Sequence, residues 1–85
     1  MDDSSWEEPI TFETNRLGKY WTVTSTAEAA RALMERWPVD TGEAYEAALR
    51  TCLAAMEGRE TPDDARGAFL KAAEEADVFI RTGGY

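Results

Sequence analysis

The chain has 85 residues, 44% hydrophobic and 11% aromatic, with 17 Asp and Glu against 9 Lys and Arg, no histidine, one cysteine and a net charge of −8. This is the composition of one ordered domain, since its aromatics can bury enough surface to offset chain entropy. The bases are scattered among acids without a cluster to hold a phosphate backbone or an anionic membrane, so neither nucleic acid nor membrane is an expected partner.

Residues 1–8, "MDDSSWEE", are acidic and polar apart from Trp6 and read as a loosely held arm. They carry acids where a signal peptide needs a basic region followed by an apolar run. From Pro9 the pattern changes: Ile10 and Phe12 alternate with Thr11 and Glu13, the period of a strand with one buried face. "NRLG" supplies a turn through Asn15 and Gly18. "KYWTVT" is rich in aromatic and β-branched residues, so a second strand closes a hairpin.

Ser25 to Glu28, "STAE", matches a capping box and opens the first helix, with Ala30, Leu33, Met34 and Trp37 as its apolar stripe. Pro38 ends it. The second helix is expected to start at Asp40 or Thr41, with Glu43 complementing the helix dipole. Its stripe is Tyr45, Ala48, Leu49, Cys52, Leu53 and Met56, and Gly58 is a left-handed cap. "TPDD" opens the third helix with Thr61 as N-cap and Pro62 at the first helical position. Ala65, Ala68, Phe69, Ala72, Ala73 and Ala76 follow on one face, so a neighbouring helix approaches closely around Phe69. Gly67 lies off that stripe, where glycine costs about 0.5–1 kcal/mol relative to alanine. "VFIR" after Asp77 admits a longer helix, a short extra strand or coil over the core, and "TGGY" reads as a frayed end.

The expected fold class is α+β: a two-stranded antiparallel hairpin followed by three helices, ββααα, with the hairpin packed on the helical layer. The division is an acidic arm at 1–8, a single domain at 9–77 and a tail at 78–85.

The run "WPVDTGEAYEAALRTCLAAMEG", with "TAEAARALM" before it and "ARGAFLKAAEEA" after it, resembles the small alphaproteobacterial proteins catalogued as domain of unknown function 982. The resemblance covers about residues 9–77. It rests on Trp37-Pro38, Gly42, Tyr45, Cys52, Gly58, Ala65-Arg66 and Phe69. It implies the same fold and a bacterial cytosolic setting, and brings no activity, cofactor or catalytic residue with it.

A cysteine nucleophile needs a base beside it, and the chain has no histidine. Cys52 also falls inside an apolar stripe, so it is expected to act as a small hydrophobe. A lone thiol fits a reducing compartment, and no apolar run approaches the roughly 20 residues that cross a bilayer, so a cytoplasmic location is expected. Glu43 with Glu46, Asp63 with Asp64 and Glu74 with Glu75 imitate catalytic pairs but lie on polar helix faces. Arg31–Glu35, Glu46–Arg50 and Lys71–Glu75 are i, i+4 pairs of a solvated surface. No metal-ligand spacing or phosphate loop is present, so no metal, cofactor or catalytic residue is assigned.

The interaction candidates are Tyr20, Trp21, Trp37 and Tyr45. Trp37 and Tyr45 sit where the first two helices reverse direction, and packing accounts for both. Strand two must bury either Tyr20 and Thr22 or Trp21 and Val23, which leaves an aromatic outside beside an unpaired edge. The expected function is a protein-interaction or regulatory module, not an enzyme. Its partner is another protein, or a second copy of the chain through the hairpin edge, and the overall charge favours a basic one. The alternatives are a small-ligand binder or enzyme with a pocket between the hairpin and helix one, and an acidic nucleic-acid mimic.

Overall fold

The structure, a computed structural model, describes residues 5–13, 20–37 and 40–81. Its elements are β1 (Ser5–Glu13), β2 (Tyr20–Ser25), α1 (Thr26–Glu35), α2 (Glu43–Met56), α3 (Pro62–Glu75) and β3 (Phe79–Arg81). The hairpin followed by three helices is therefore present, and β3 adds a strand to it. The sheet order is β2-β1-β3, antiparallel throughout, so β1 is central. The "NRLG" turn, Pro38 and the "TGGY" end lie outside the described residues.

Strand alternation decides the two faces of the sheet. Ile10, Phe12 and Val23 are buried toward the helices, whereas Thr11 is half-buried and Thr22 and Thr24 are exposed on the opposite face. Thr11 and Thr22 are register partners whose hydroxyls lie 3.0 Å apart. Helices α1 and α3 rest on the sheet, while α2 packs mainly on those two helices.

Two expectations of burial are corrected. Ser5–Glu8, placed in a loose arm, form the first half of β1, and Trp6 belongs to the core. Its indole N–H donates to the buried Thr26 hydroxyl at 3.0 Å, satisfying both groups away from water. Met34, Leu53 and Met56, placed on apolar stripes, are exposed. In α1 the buried set is Thr26, Ala29, Ala30, Ala32 and Leu33, rotated away from Met34. In α2 it narrows to Tyr45, Ala48 and Cys52, because this helix has the sheet on neither side and need bury only the face that meets its two neighbours.

The helix ends follow from side-chain chemistry. Thr61 accepts from Asp64 N at 3.0 Å, and the Asp64 carboxylate accepts from Thr61 N at 3.3 Å, completing a capping box behind Pro62. Those bonds from Thr61 hold the Asp64 carboxyl below its ordinary value. At α1 the box closes one residue early: Ser25 Oγ accepts from Glu28 N, but Glu28 reaches past it to Thr24 N at 2.7 Å and the Thr24 hydroxyl at 2.9 Å. Gly58 takes φ +87°, as expected of a left-handed cap, and Arg59 N donates to Ala54 O at 2.8 Å. Asp77 does the same for α3 at φ 59°, with Val78 N donating to Ala73 O at 2.8 Å. That reversal returns the chain to the sheet as β3.

The start of α2 corrects the sequence reading. Its N-cap is Gly42, not Asp40 or Thr41, and no local side chain caps it. The acceptor comes from the far end of α3, where Glu75 takes the N–H groups of Ala44 at 3.2 Å and Tyr45 at 3.1 Å. Glu75 therefore holds a helix terminus in place of the expected pair with Lys71. Of the three expected i, i+4 pairs, Arg31–Glu35 is formed, at 3.5 Å between side chains in solvent.

Gly67 is exposed, and a Cβ built on it meets nothing within 4 Å. Nothing in the structure explains this glycine. Gly67→Ala is expected to raise stability by about 0.5–1 kcal/mol through helix propensity alone. The check is an increase in urea midpoint at unchanged slope.

Candidate functional site

Trp37 and Tyr45, two of the four interaction candidates, are parts of the fold. Trp37 follows α1 and stacks into the core, its ring 5.2 Å from Phe12 and 5.1 Å from Phe69. Its indole nitrogen is buried without an acceptor among the described residues. Tyr45 is buried at the start of α2 and donates its hydroxyl to Leu33 O at 3.0 Å, joining the first two helices. Both side chains pack where the chain reverses between the first two helices.

Tyr20 and Trp21 remain at the surface, 45% and 36% exposed. They are neighbours on β2, whose far side has no strand among the described residues. Trp21 shares the helix-facing side with Val23, yet it is the register partner of Phe12 at the rim of that side. Burial therefore stops partway across its ring. The Arg36 guanidinium, at the C-terminal cap of α1, lies 4.0 Å from the ring centroid and covers it from the helical side.

The main chain of this edge is ordered by the same alternation. The N–H of Thr24 is taken by Glu28 from outside the hairpin, so it points away from β1. Two residues earlier, the N–H and C=O of Thr22 point the same way. The close approach of the Thr11 and Thr22 hydroxyls agrees, because non-hydrogen-bonded pairs bring side chains nearer. Glu28 and Arg36 escaped the sequence reading of this edge. The capping-box spacing signalled Glu28 but assigned it to the wrong backbone group, and Arg36 carried no signal, since only the fold brings it to Trp21.

Elsewhere the chemistry is muted. Cys52 is buried in α2, and burial pushes its thiol up to about 11, so almost none is thiolate at neutral pH. A disulfide reagent such as DTNB at pH 8 is expected to leave Cys52 unmodified in the native chain and to react fully in urea. Rapid native labelling would contradict this burial. Among the described residues, no group of three or more His, Cys, Asp or Glu is placed to hold a metal ion, and no helix is long and apolar enough to cross a membrane. One shallow groove runs between α2 and α3 along Ala44, Ala47, Thr51, Gly67, Ala68 and Lys71. Another lies between α3 and β3, lined by Leu70, Glu74, Val78 and Ile80.

A family described as protein of unknown function (DUF982) matches residues 8–80, from Glu8 within β1 through Ile80 in β3. The chain belongs to this family. The match takes in β2, the three helices and part of β3, so the aromatic edge lies within the DUF982 domain. Comparison with curated proteins and with solved structures finds no match.

Proposed function

We propose that this DUF982 chain is a non-catalytic protein-interaction module that takes an extended segment of a partner protein onto the outer edge of β2. The observation that carries this reading is the coincidence of a strand edge that no other described strand covers with two adjacent exposed aromatics, Tyr20 and Trp21. An edge strand offers main-chain hydrogen bonds, and aromatics beside it supply buried area when a segment adds to the sheet. The inert thiol supports a role other than catalysis. So do the carboxylates of Glu28, Asp64 and Glu75, which are engaged at helix starts. The same engagement argues against an acidic nucleic-acid mimic, for which carboxylates should stand in a free, regular row. A cytoplasmic setting belongs to this proposal, on the ground of a lone reduced cysteine.

The test is affinity capture from the source cell extract on native and Trp21→Glu baits, compared by quantitative mass spectrometry. A charge at the centre of the patch is expected to reduce recovery of the bound partner by about tenfold or more. Equal recovery on both baits would overturn the β2 site. Sedimentation of the two proteins over a concentration range separates self-association from binding of another protein. A native dimer dissociated by Trp21→Glu would identify the partner as a second copy.

A further inference from the structure

We infer that the segment received by β2 carries a carboxylate, an Asp or Glu side chain, that binds Arg36 at the rim of Trp21. The inference deepens the strand-addition reading and rests on it. Arg36 stacks its guanidinium on the Trp21 ring, and stacking occupies only the flat face of the group. Its N–H donors radiate in the plane and remain available to a two-pronged acceptor. In a chain with 17 acids, no described carboxylate forms an ion pair with it, whereas Arg31 and Arg59 both have one.

The position of this donor set is specific. Glu28 closes the β2 edge at Thr24 by taking its N–H, so an incoming strand pairs at Thr22, on the side of Thr24 toward Trp21. Trp21 is next to Thr22, on the helix-facing side where Arg36 stands over its ring. A side chain of the added strand opposite Trp21 points to that side too, because facing residues share a face. A carboxylate there meets the guanidinium, while its neighbours along the strand contact Tyr20 and the threonine face.

The charge of the domain sharpens the choice. With a net charge of −8, a polyacidic segment is repelled as a whole, and an acid near Thr24 would meet the Glu28 carboxylate. The favoured ligand is a β-branched segment with a single acid in register with Trp21. This differs from the basic partner suggested by net charge alone, because local geometry at Arg36 reverses the sign seen by an incoming strand.

A library of random eight-residue peptides displayed on phage, selected in parallel on native, Arg36→Ala and Trp21→Glu proteins, tests the inference. Selection on the native protein is expected to enrich extended sequences with one Asp or Glu at a fixed place among β-branched residues. A synthetic peptide of the enriched sequence should lose about tenfold in affinity when its acid is replaced by the corresponding amide, or when Arg36 is replaced by alanine. On the native protein it should shift the Thr22 amide and the Arg36 Nε–H in nitrogen-correlated NMR spectra. Enrichment without acids, or with acids that Arg36→Ala leaves untouched, would overturn the carboxylate and leave strand addition standing. Failure to enrich any peptide that depends on Trp21 would overturn both. Near-ultraviolet circular dichroism of Arg36→Ala confirms that its fold is intact, as expected of an exposed side chain.

Discussion

Phe69→Ala is expected to lower the stability of the chain by about 3–5 kcal/mol, the range for removing a fully buried aromatic. Phe69 is inaccessible to solvent and is the hub of the core, touching three other aromatic rings. Trp6 lies 6.0 Å away, Phe12 5.7 Å and Trp37 5.1 Å, all tilted or edge-on as ring quadrupoles prefer. The rest of the α3 face is alanine: Ala65, Ala72 and Ala73 are buried around it and cannot expand into the space it leaves. The cavity would therefore persist, and its cost adds to the lost transfer energy. Total stabilities of small domains are about 5–15 kcal/mol, so the variant would be marginal at room temperature. Urea denaturation monitored by tryptophan fluorescence checks this, with Phe69→Leu recovering most of the loss. A Phe69→Ala midpoint equal to the native one would mean that the four rings are not the core.

Gly42→Ala is expected to cost about 2–4 kcal/mol, the sum of a backbone penalty and a broken cap. Gly42 has φ +126° and ψ 147°, a conformation open essentially to glycine alone. A Cβ there would run into the Glu75 carboxylate, which bridges to the N–H groups of Ala44 and Tyr45. The substitution would thus displace the residue that caps α2. Glu75→Ala alone should cost about 1 kcal/mol, and much less when Gly42 is already alanine, because the contact has gone. A double-mutant cycle by urea denaturation measures that non-additivity. Faster hydrogen exchange at Ala44 and Tyr45 in both single variants would localise it. Additive effects would show that the glycine and the carboxylate act independently.

Much of the fold could be read from local chemistry. Thr61, Pro62 and Asp64 specify the start of α3 because an N-cap, a preset φ and an acidic first turn are properties of neighbouring residues. The alternation of Ile10 and Phe12 likewise gives the buried face of β1. Trp6 sits at the same parity, and the acidic residues between it and Ile10 concealed a strand that begins four residues before Pro9. The cap of α2 was not legible, since Glu75 is brought to Ala44 by tertiary packing, and the sequence offered the nearer Asp40 and Thr41 instead. Stripe width misled for Leu53 and Met56: periodicity reports which residues share a face, not how much of that face a neighbour covers. The two-face argument put one aromatic of β2 outside, yet both Tyr20 and Trp21 are exposed, because Trp21 lies at the rim of the buried face. Arg36 was not legible, because cation and ring lie on different elements and meet only in the assembled molecule.

The central place of β1 also bears on the order of assembly. Its partners are β2, directly after it, and β3, which follows all three helices and pairs Arg81 with Thr11. The first pairing closes a short loop, while the second encloses nearly the whole described chain and must bear a larger closure entropy. The hairpin and the helices that cover it can form a nucleus while one flank of β1 stays open. The late arrival of β3 seals that flank. During synthesis the flank is therefore unprotected until Phe79–Arg81 emerges, and an intermediate lacking β3 presents the main chain of β1 to strand addition by another chain.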